Sequence, residues 1–313
     1  MDKKKINGNN NHLFKVAAFY CFTKLEENDI LGIKEKLIQK GLEYNIKGTI
    51  LIAREGFNGT VCGSPESIKF IVELLYSFVP KSVIEEKFSW CNQQAFRKLK
   101  VRSKKEIVTM GVAEINPNES VGKYVDPLGW NEFINDPNTL VIDTRNNYEI
   151  GIGSFKNTIN PNTRNFREFP KWVDNNLRDL VKSKKSKRIG MFCTGGIRCE
   201  KATSYLLKKG FSDVYHLKGG ILRYLEKIPR SESLWEGECF VFDQRVALDR
   251  SLEKADYQLC YACGMPLNSQ DRALLSYIKG VQCYHCESLF SDNDRLRFAE
   301  RQKHYDSQVK LSI

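Results

Sequence analysis

The sequence has few of the residues and motifs on which many redox enzymes depend. Its 313 residues include only four histidines, and no two-histidine, one-carboxylate set, haem-attachment motif or GxGxxG turn stands out. Any redox activity is therefore left without an evident organic cofactor. No stretch approaches the roughly 18 consecutive apolar residues of a membrane-spanning helix, and no apolar signal core follows the lysine-rich start. We therefore expect a cytoplasmic protein that does not interact with a membrane.

The chain has fewer acidic residues than basic ones. Lysine and arginine together number 49 against 38 acidic residues, which gives a net charge of +11. This excess favours an anionic partner, most often nucleic acid, although lysine-rich solubility is the simpler alternative. The length allows two or three domains. Ten cysteines in a chain of this length do not resemble a secreted disulfide framework, and in a reducing compartment such residues more often react or bind metal.

The most informative stretch is residues 193–198 (CTGGIR), a glycine turn that begins with Cys193 and ends with Arg198. An apolar run precedes it and a helical pattern follows it to Gly210, which predicts a strand, a turn and a helix N-terminus. The turn's N–H groups and the helix dipole favour an anion. Cys193 is therefore predicted to be the catalytic nucleophile, as a thiolate or a persulfide, with Arg198 neutralising its charge. Four intervening residues suit a single sulfur anion better than a phosphate.

Two further residues near this turn allow alternative interpretations. Cys199 follows Arg198 directly and either resolves a persulfide or disulfide on Cys193 or packs the first helical turn. Arg145 follows a predicted strand ending at Asp143, at the edge of the sheet where ligands bind. It either borders the same pocket and contacts substrate, or forms an ion pair with Asp143 or Glu149.

The N-terminal segment, residues 1–118, predicts a ferredoxin-like α+β domain. Strands are predicted at 15–22, 48–53, 59–63 and 83–90, with helices at 29–40 and from Pro65 to about Val79, capped by Ser64. This βαββαβ order is the ferredoxin-like arrangement. Residues 96–105 then hold six basic residues and no acid.

Read as a strand, this basic segment separates its charged side chains from its apolar ones. One face carries Lys98, Lys100, Arg102 and Lys104, whereas Leu99 and Val101 point the other way. Two strand residues advance about 6.6 Å, which is close to the phosphate spacing of a nucleic-acid strand. We predict an RNA-binding face, with a simply solvated strand as the alternative.

Two more domains are predicted after the basic segment. Residues 119–230 alternate strands with helices, which indicates an α/β domain with a parallel sheet. His216, at the end of one strand, is predicted to be a core-edge residue. Residues 231–313 carry two Cys-x-x-Cys pairs separated by 19 residues, and this spacing predicts a structural zinc ion held by Cys260, Cys263, Cys283 and Cys286. His285 is a minor alternative ligand, and free or disulfide-bonded thiols are the other interpretation.

The motifs as a set resemble a known family. Residues 193–198 together with Asp143, Arg145 and residues 217–221 (LKGGI) are similar to a rhodanese domain. Residues 48–60 (GTILIAREGFNGT), 98–108 (KLKVRSKKEIV) and 160–170 (NPNTRNFREFP), with the Cys-x-x-Cys tail, resemble the bacterial tRNA uridine(34) hydroxylase family over nearly the whole chain.

The resemblance implies an activity and its partners. It implies oxygen-dependent 5-hydroxylation of the wobble uridine of tRNA, with Cys193 as the active cysteine, molecular oxygen as co-substrate, the tRNA anticodon arm as partner and an unknown electron donor. The main alternative is a rhodanese-type sulfurtransferase that carries a persulfide on Cys193. A third interpretation is an RNA-binding module whose rhodanese pocket is catalytically idle.

Overall fold

The computed structural model of the chain describes residues 13–310; the lysine-rich start noted above lies outside them. The N-terminal part forms one five-stranded sheet and two helices: β1 (Phe14–Phe22), α1 (Glu27–Glu43), β2 (Lys47–Ala53), β3 (Gly56–Gly63), α2 (Pro65–Tyr76), β4 (Glu85–Cys91) and β5 (Leu99–Ser103). The strand order is β4-β1-β3-β2-β5, with β5 parallel to β2 and the other pairs antiparallel. The predicted βαββαβ order is confirmed, and β5 extends it at one edge.

One face of this sheet is covered by α1 and α2. Side chains that alternate along the strands, such as Phe19, Ile50 and Val61, are buried against the helices. Helix α2 begins at the predicted cap, where the Ser64 hydroxyl accepts a hydrogen bond from the Ser67 N–H at 3.2 Å. Because strand side chains alternate, the intervening residues point to the opposite face, which carries no helix of this domain.

The central part is a parallel four-stranded sheet with helices on both faces. Its elements are β6 (Lys123–Val125), α3 (Pro127–Asn135), β7 (Thr139–Asp143), α4 (Asn147–Ile150), β8 (Gly153–Phe155), α5 (Phe169–Trp172), α6 (Arg178–Ser183), β9 (Arg188–Phe192), α7 (Ile197–Lys208), β10 (Val214–Leu217) and α8 (Gly220–Lys227). The strand order is β6-β10-β9-β7, and all three pairings are parallel. The parallel pairing and the buried clusters on both sides of the sheet confirm the predicted α/β domain with a parallel sheet.

The C-terminal part consists of short hairpins and a long helix. Its elements are β11 (Trp235–Gly237), β12 (Cys239–Phe240), β13 (Ala247–Leu248), β14 (Gln258–Leu259), β15 (Pro266–Leu267), α9 (Ser269–Ala273) and α10 (Asp292–Lys310). The chain pairs β11 with β8 and β12 with β13. Within residues 13–310, no helix combines the length and apolarity needed to span a bilayer.

Candidate active site

The Cys193 turn lies where β9 ends and α7 begins, at the carboxyl edge of the parallel sheet. The N–H of Gly196 donates to the Cys193 Sγ at 3.1 Å. Gly196 has a φ of +107°, a conformation that favours glycine because it has no Cβ. A Cβ on Gly220 would lie 2.4 Å from the Cys193 carbonyl oxygen. Two glycines from different segments therefore allow the turn to close around the sulfur.

The Cys193 thiol is held in its ionised form. Burial opposes its ionisation, but a hydrogen bond from Cys199, the charge of Arg198 and the N–H groups of Cys199 and Gly196 outweigh it and lower the pKa of Cys193 to about 5. The side chain is fully buried at the wall of a cavity. Next to it, a Cβ on Gly195 would meet no described atom within 4 Å, so the turn borders open space at this residue.

Cys199 lies beneath the turn and is also fully buried. Its Sγ is 3.5 Å from the Thr144 hydroxyl. Burial and the adjacent Cys193 thiolate raise the pKa of Cys199 well above its ordinary value. Cys199 is therefore a neutral thiol that donates to Cys193, a position that suits both of the predicted roles.

Arg198 forms a buried ion pair that the sequence did not assign. Its guanidinium donates to the two Glu149 carboxylate oxygens at 2.6 and 2.8 Å. Glu149 is held by α4, where it also accepts from the Asn146 N–H in a capping box. The Arg198 pKa is raised because the charges of Glu149 and Cys193 outweigh burial. The paired guanidinium lies at the cavity wall with Cys193.

Arg145 was predicted to contact substrate, but its side chain lies in the protein interior. Its side chain is 0% exposed, and its Nη2 donates to the Asp143 Oδ2 at 2.6 Å and to the Gly153 carbonyl at 2.6 Å. Direct contact with RNA is therefore excluded in this conformation. The ion pair with Asp143, the alternative given above, is present, and Arg145 secures the end of β7 against β8.

The turn faces a cavity of about 460 Å³ between the N-terminal and central domains, a size typical of small-molecule sites. Its floor is the helix-free face of the five-stranded sheet, with Tyr20, Asn58 and Lys87. The turn forms one wall, and a segment after β12 that includes Phe242 and Arg245 forms another. All three parts of the chain thus contribute to one site.

Polar contacts join the sheet to the turn. The Lys87 Nζ donates to the Gly195 carbonyl at 2.8 Å, and the Tyr20 hydroxyl donates to Glu200, on α7, at 2.8 Å. Burial lowers the pKa of Lys87 to about 8, against the raising effect of Glu85. Lys87, Tyr20 and Glu200 were not identified from the sequence because none of them belongs to a motif and because their neighbours in the site are distant in sequence.

The basic strand lies beside the cavity floor. Lys98, Lys100, Arg102 and Lys104 are all exposed. Val101 is buried against the helices, so the predicted alternation is present. Lys100 and Arg102 pair in register with Thr49 and Leu51, two residues that line the cavity. The positive strip and the cavity floor are therefore neighbouring parts of one sheet face.

The four predicted zinc ligands converge in the C-terminal part. Their sulfur atoms all lie within 4.8 Å of one another. Three of the separations are 3.9 Å for Cys260–Cys286, 3.7 Å for Cys263–Cys283 and 3.8 Å for Cys283–Cys286. Tetrahedral zinc–thiolate bonds of about 2.3 Å place their sulfurs roughly 3.8 Å apart. The cluster can therefore hold a metal ion, and its spacing fits zinc.

The histidines do not contribute to either site in the described residues. His216 is buried, and its ring nitrogens have no hydrogen-bond partner in residues 13–310. Burial lowers its pKa to about 4, so it is neutral, as expected of a core-edge residue. His285 stacks on Tyr284 and lies outside the four-cysteine group.

Comparisons with known proteins agree with this architecture. Residues 14–107 match the family model described as the UPF0176 acylphosphatase like domain, and residues 130–227 match the rhodanese-like domain. The chain is 57% identical over 291 residues to a tRNA uridine(34) hydroxylase of Prochlorococcus marinus strain MIT 9303, covering 93% of this chain and 94% of that protein. The corresponding protein of strain NATL1A is 54% identical over 297 residues, covering 95% and 93%.

Proposed function

Since the chain belongs to the tRNA uridine(34) hydroxylase family, we propose that it hydroxylates the base of uridine 34 in tRNA at C5. The single observation that carries this proposal is the ionised Cys193 beside a cavity whose floor continues into a positive strip. The uracil base enters the cavity and the RNA backbone lies outside it. The cytoplasm, where the tRNA substrate is present, is the proposed location.

The Cys193 thiolate adds to C6 of uracil. The new S–C6 bond uses the electron pair of the sulfur, and the electrons of the C5=C6 double bond move onto C5 and its adjoining carbonyl. C5 thereby becomes electron-rich enough to react with an oxidant. After oxidation, loss of the C5 proton and cleavage of the S–C6 bond restore the double bond and release the thiolate. Cys193 is therefore unchanged over one cycle.

Molecular oxygen is the proposed oxidant. One oxygen atom becomes the C5 hydroxyl group, and the other is reduced to water by two electrons and two protons. The electrons come from an external two-electron donor. The protein's part is to bind the base and to activate C5 through Cys193.

Two cations support the proposed negative charge at the turn. Arg198, oriented by Glu149, stabilises the Cys193 thiolate before addition. Lys87 projects from the sheet into the same cavity and can stabilise the charge that moves onto the uracil carbonyl after addition. Cys199 donates a hydrogen bond to the thiolate. In the proposed resolving role it attacks an oxidised Cys193 to form a disulfide, and two electrons from the external donor then reduce this disulfide to the two thiols.

The sulfurtransferase alternative uses the same turn, but the names of the relatives favour the hydroxylase. The two activities have different products. Nucleoside mass spectrometry of tRNA from cells lacking this protein, with and without rescue by the wild-type gene, tests the proposal. We expect 5-hydroxyuridine derivatives to disappear in the deletion strain and return on rescue. Unchanged 5-hydroxyuridine derivatives together with cyanide-dependent release of thiocyanate by the purified protein would instead identify a sulfurtransferase.

The basic strip is proposed to hold the anticodon arm. In the double variant Lys100→Glu, Arg102→Glu we expect at least roughly tenfold weaker tRNA binding and a salt dependence shallower by about two in log–log slope, because two phosphate contacts are lost. Filter binding over a series of salt concentrations measures both quantities. The matched control is Lys182→Glu, Lys184→Glu, which makes the same charge change at exposed positions outside this strip. Equal losses in both variants would assign the effect to net charge alone.

The four-cysteine cluster is proposed to hold one structural zinc ion. Because four protein ligands leave no open coordination position, the ion would stabilise the C-terminal part and would not take part in the reaction. We expect Cys283→Ser to reduce zinc content from about one ion per chain to a small fraction, measured by elemental mass spectrometry, and to lower thermal stability. The control Cys91→Ser, a half-buried thiol outside the cluster, should retain its zinc. Zinc retained in both variants would contradict the assignment.

A further inference from the structure

Three side chains lie in series between the cavity and solvent. Tyr20 lies on the cavity floor and donates its hydroxyl to Glu200 at 2.8 Å. Tyr124, on β6, lies near the same carboxyl group and helps to lower its pKa. Tyr20 and Glu200 are buried, whereas Tyr124 is 47% exposed. The series therefore links the interior of the site with the protein surface.

The inner end of this series lies beside the reactive turn. A Cβ on Gly196 would be only 2.8 Å from the Tyr20 hydroxyl oxygen, and Gly196 is the residue whose N–H binds the Cys193 sulfur. The Tyr20 hydroxyl uses its hydrogen toward Glu200. Its oxygen lone pairs are therefore available to accept a proton from a uracil ring bound in the cavity.

We propose that Tyr20, Glu200 and Tyr124 form a proton relay that removes the C5 proton of the bound uracil. The inference rests on the proposed function, in which the S–C6 adduct must lose this proton. The C5–H bond breaks, its electron pair re-forms the C5=C6 double bond, and the Cys193 sulfur leaves with the S–C6 electrons. Tyr20 accepts the proton on its oxygen while passing its own hydroxyl proton to the Glu200 carboxylate. Glu200 then releases the proton to solvent past Tyr124.

The charges around Glu200 suit a group that gains and loses a proton. Burial raises its pKa, the hydrogen bond from Tyr20 and the nearby Tyr124 hydroxyl oppose the rise, and the negative charges of Glu85 and Cys193 add to it, giving a value of about 7. The other facing groups are Lys87 on β4, which lies near Glu200 and Glu85, and the neutral His216 ring, which packs on Tyr124. The carboxylate that accepts the proton is therefore formed as the pH rises through neutrality. Because Glu200 acts through Tyr20, it is a positioning residue.

Exchange at C5 tests the relay separately from oxidation. The full-length protein is incubated without oxygen with a tRNA whose uridine 34 carries deuterium at C5, and loss of deuterium to water is followed by mass spectrometry. Reversible addition of Cys193 to C6 gives an enolate that protonated Glu200 protonates at C5 through Tyr20, and the carboxylate so formed then removes the deuterium. We expect exchange with the wild-type protein, at a rate that falls as the pH rises through about 7, because the exchange cycle starts from protonated Glu200. We expect Glu200→Gln and Tyr20→Phe to slow it roughly 100-fold and to abolish that pH dependence, with tRNA affinity unchanged.

Further variants separate a relay from a simple domain contact. Lys201 also joins the two domains, through ion pairs with Glu55 and Glu106, but it does not line the cavity. The relay requires Lys201→Met to retain the pH dependence, Tyr124→Phe to slow exchange, and Glu200→Asp to restore part of the rate. Equal slowing in Lys201→Met and Glu200→Gln with the same pH dependence would overturn the relay.

Two other outcomes distinguish the relay from the proposed function. Wild-type exchange rates in Glu200→Gln would refute the relay and leave addition by Cys193 intact. Lack of exchange in the wild-type protein while tRNA hydroxylation persists would refute both C6 addition and the relay without refuting the hydroxylase. Lack of hydroxylation in the nucleoside analysis would refute the proposed function itself.

Discussion

Replacing Cys193 with serine is expected to lower 5-hydroxyuridine formation at least roughly 1,000-fold, because a serine hydroxyl is not ionised where the cysteine thiol is. The loss should appear in kcat, measured as 5-hydroxyuridine per enzyme under saturating tRNA, while tRNA affinity stays unchanged. The same tRNA carrying 5-fluorouridine at position 34 should form a covalent adduct with the wild-type protein and none with Cys193→Ser. Hydroxylation that survives the substitution would refute nucleophilic catalysis by Cys193.

The ionisation of Cys193 provides a second measurement of the same prediction. With its pKa lowered to about 5, the thiolate is the dominant form at neutral pH and is lost only as the pH falls below about 5. Alkylation of Cys193 by a small reagent, followed by peptide mass spectrometry, should therefore show a midpoint near pH 5. A midpoint near the ordinary thiol value of about 8.5 would show that the turn does not stabilise the anion. Cys199→Ser retains a hydroxyl donor to the sulfur and should leave adduct formation largely intact.

The fold was largely predictable because its signals are local. Alternating strands such as β1 and β2 and the Ser64 cap of α2 lie in single continuous stretches of sequence. The elements that were missed have other causes. Strand β6 spans only Lys123–Val125, too few residues to establish an alternating pattern. Helix α3 begins at Pro127, and the proline at its first position was an available signal.

The candidate site was predictable only where its residues are close in sequence. The turn from Cys193 to Arg198 carries its own strand, glycines and helix start. The contact between Tyr20 and Glu200 joins residues 180 positions apart, and no local pattern reports it. The sequence offered Arg145 two ion-pair partners, Asp143 and Glu149. In the structure, Arg145 pairs with Asp143, and Glu149 pairs with Arg198. The spacing of Asn146 and Glu149, typical of a capping box, was an available signal that could have placed Glu149 at a helix start.

Glu149→Gln is expected to destabilise the protein by about 3–5 kcal/mol, because it leaves the Arg198 guanidinium buried without its counter-charge. Both side chains of this pair are almost fully buried, so water cannot replace the lost partner. The melting temperature should fall by roughly 10 °C, as measured by thermal denaturation. Glu168→Gln is the matched control, because its partner Arg164 is exposed and such pairs contribute less than about 1 kcal/mol. Equal shifts in the two variants would show that the buried pair has no special role.

The Glu149–Arg198 ion pair is also expected to control the pKa of Cys193. Removing the Glu149 charge should lower the pKa of Cys193 further, since Arg198 then acts on the thiolate without a competing anion, whereas Arg198→Met should raise that pKa. The double variant leaves neither charge unpaired, so it should regain part of the stability lost in Glu149→Gln while its thiol stays less acidic than that of the wild-type protein. Compared with Glu149→Gln, the double variant should therefore be more stable, and its Cys193 thiol should be less acidic. Parallel changes would mean that Glu149 orients the turn mechanically and that the charge of Arg198 does not govern the thiolate.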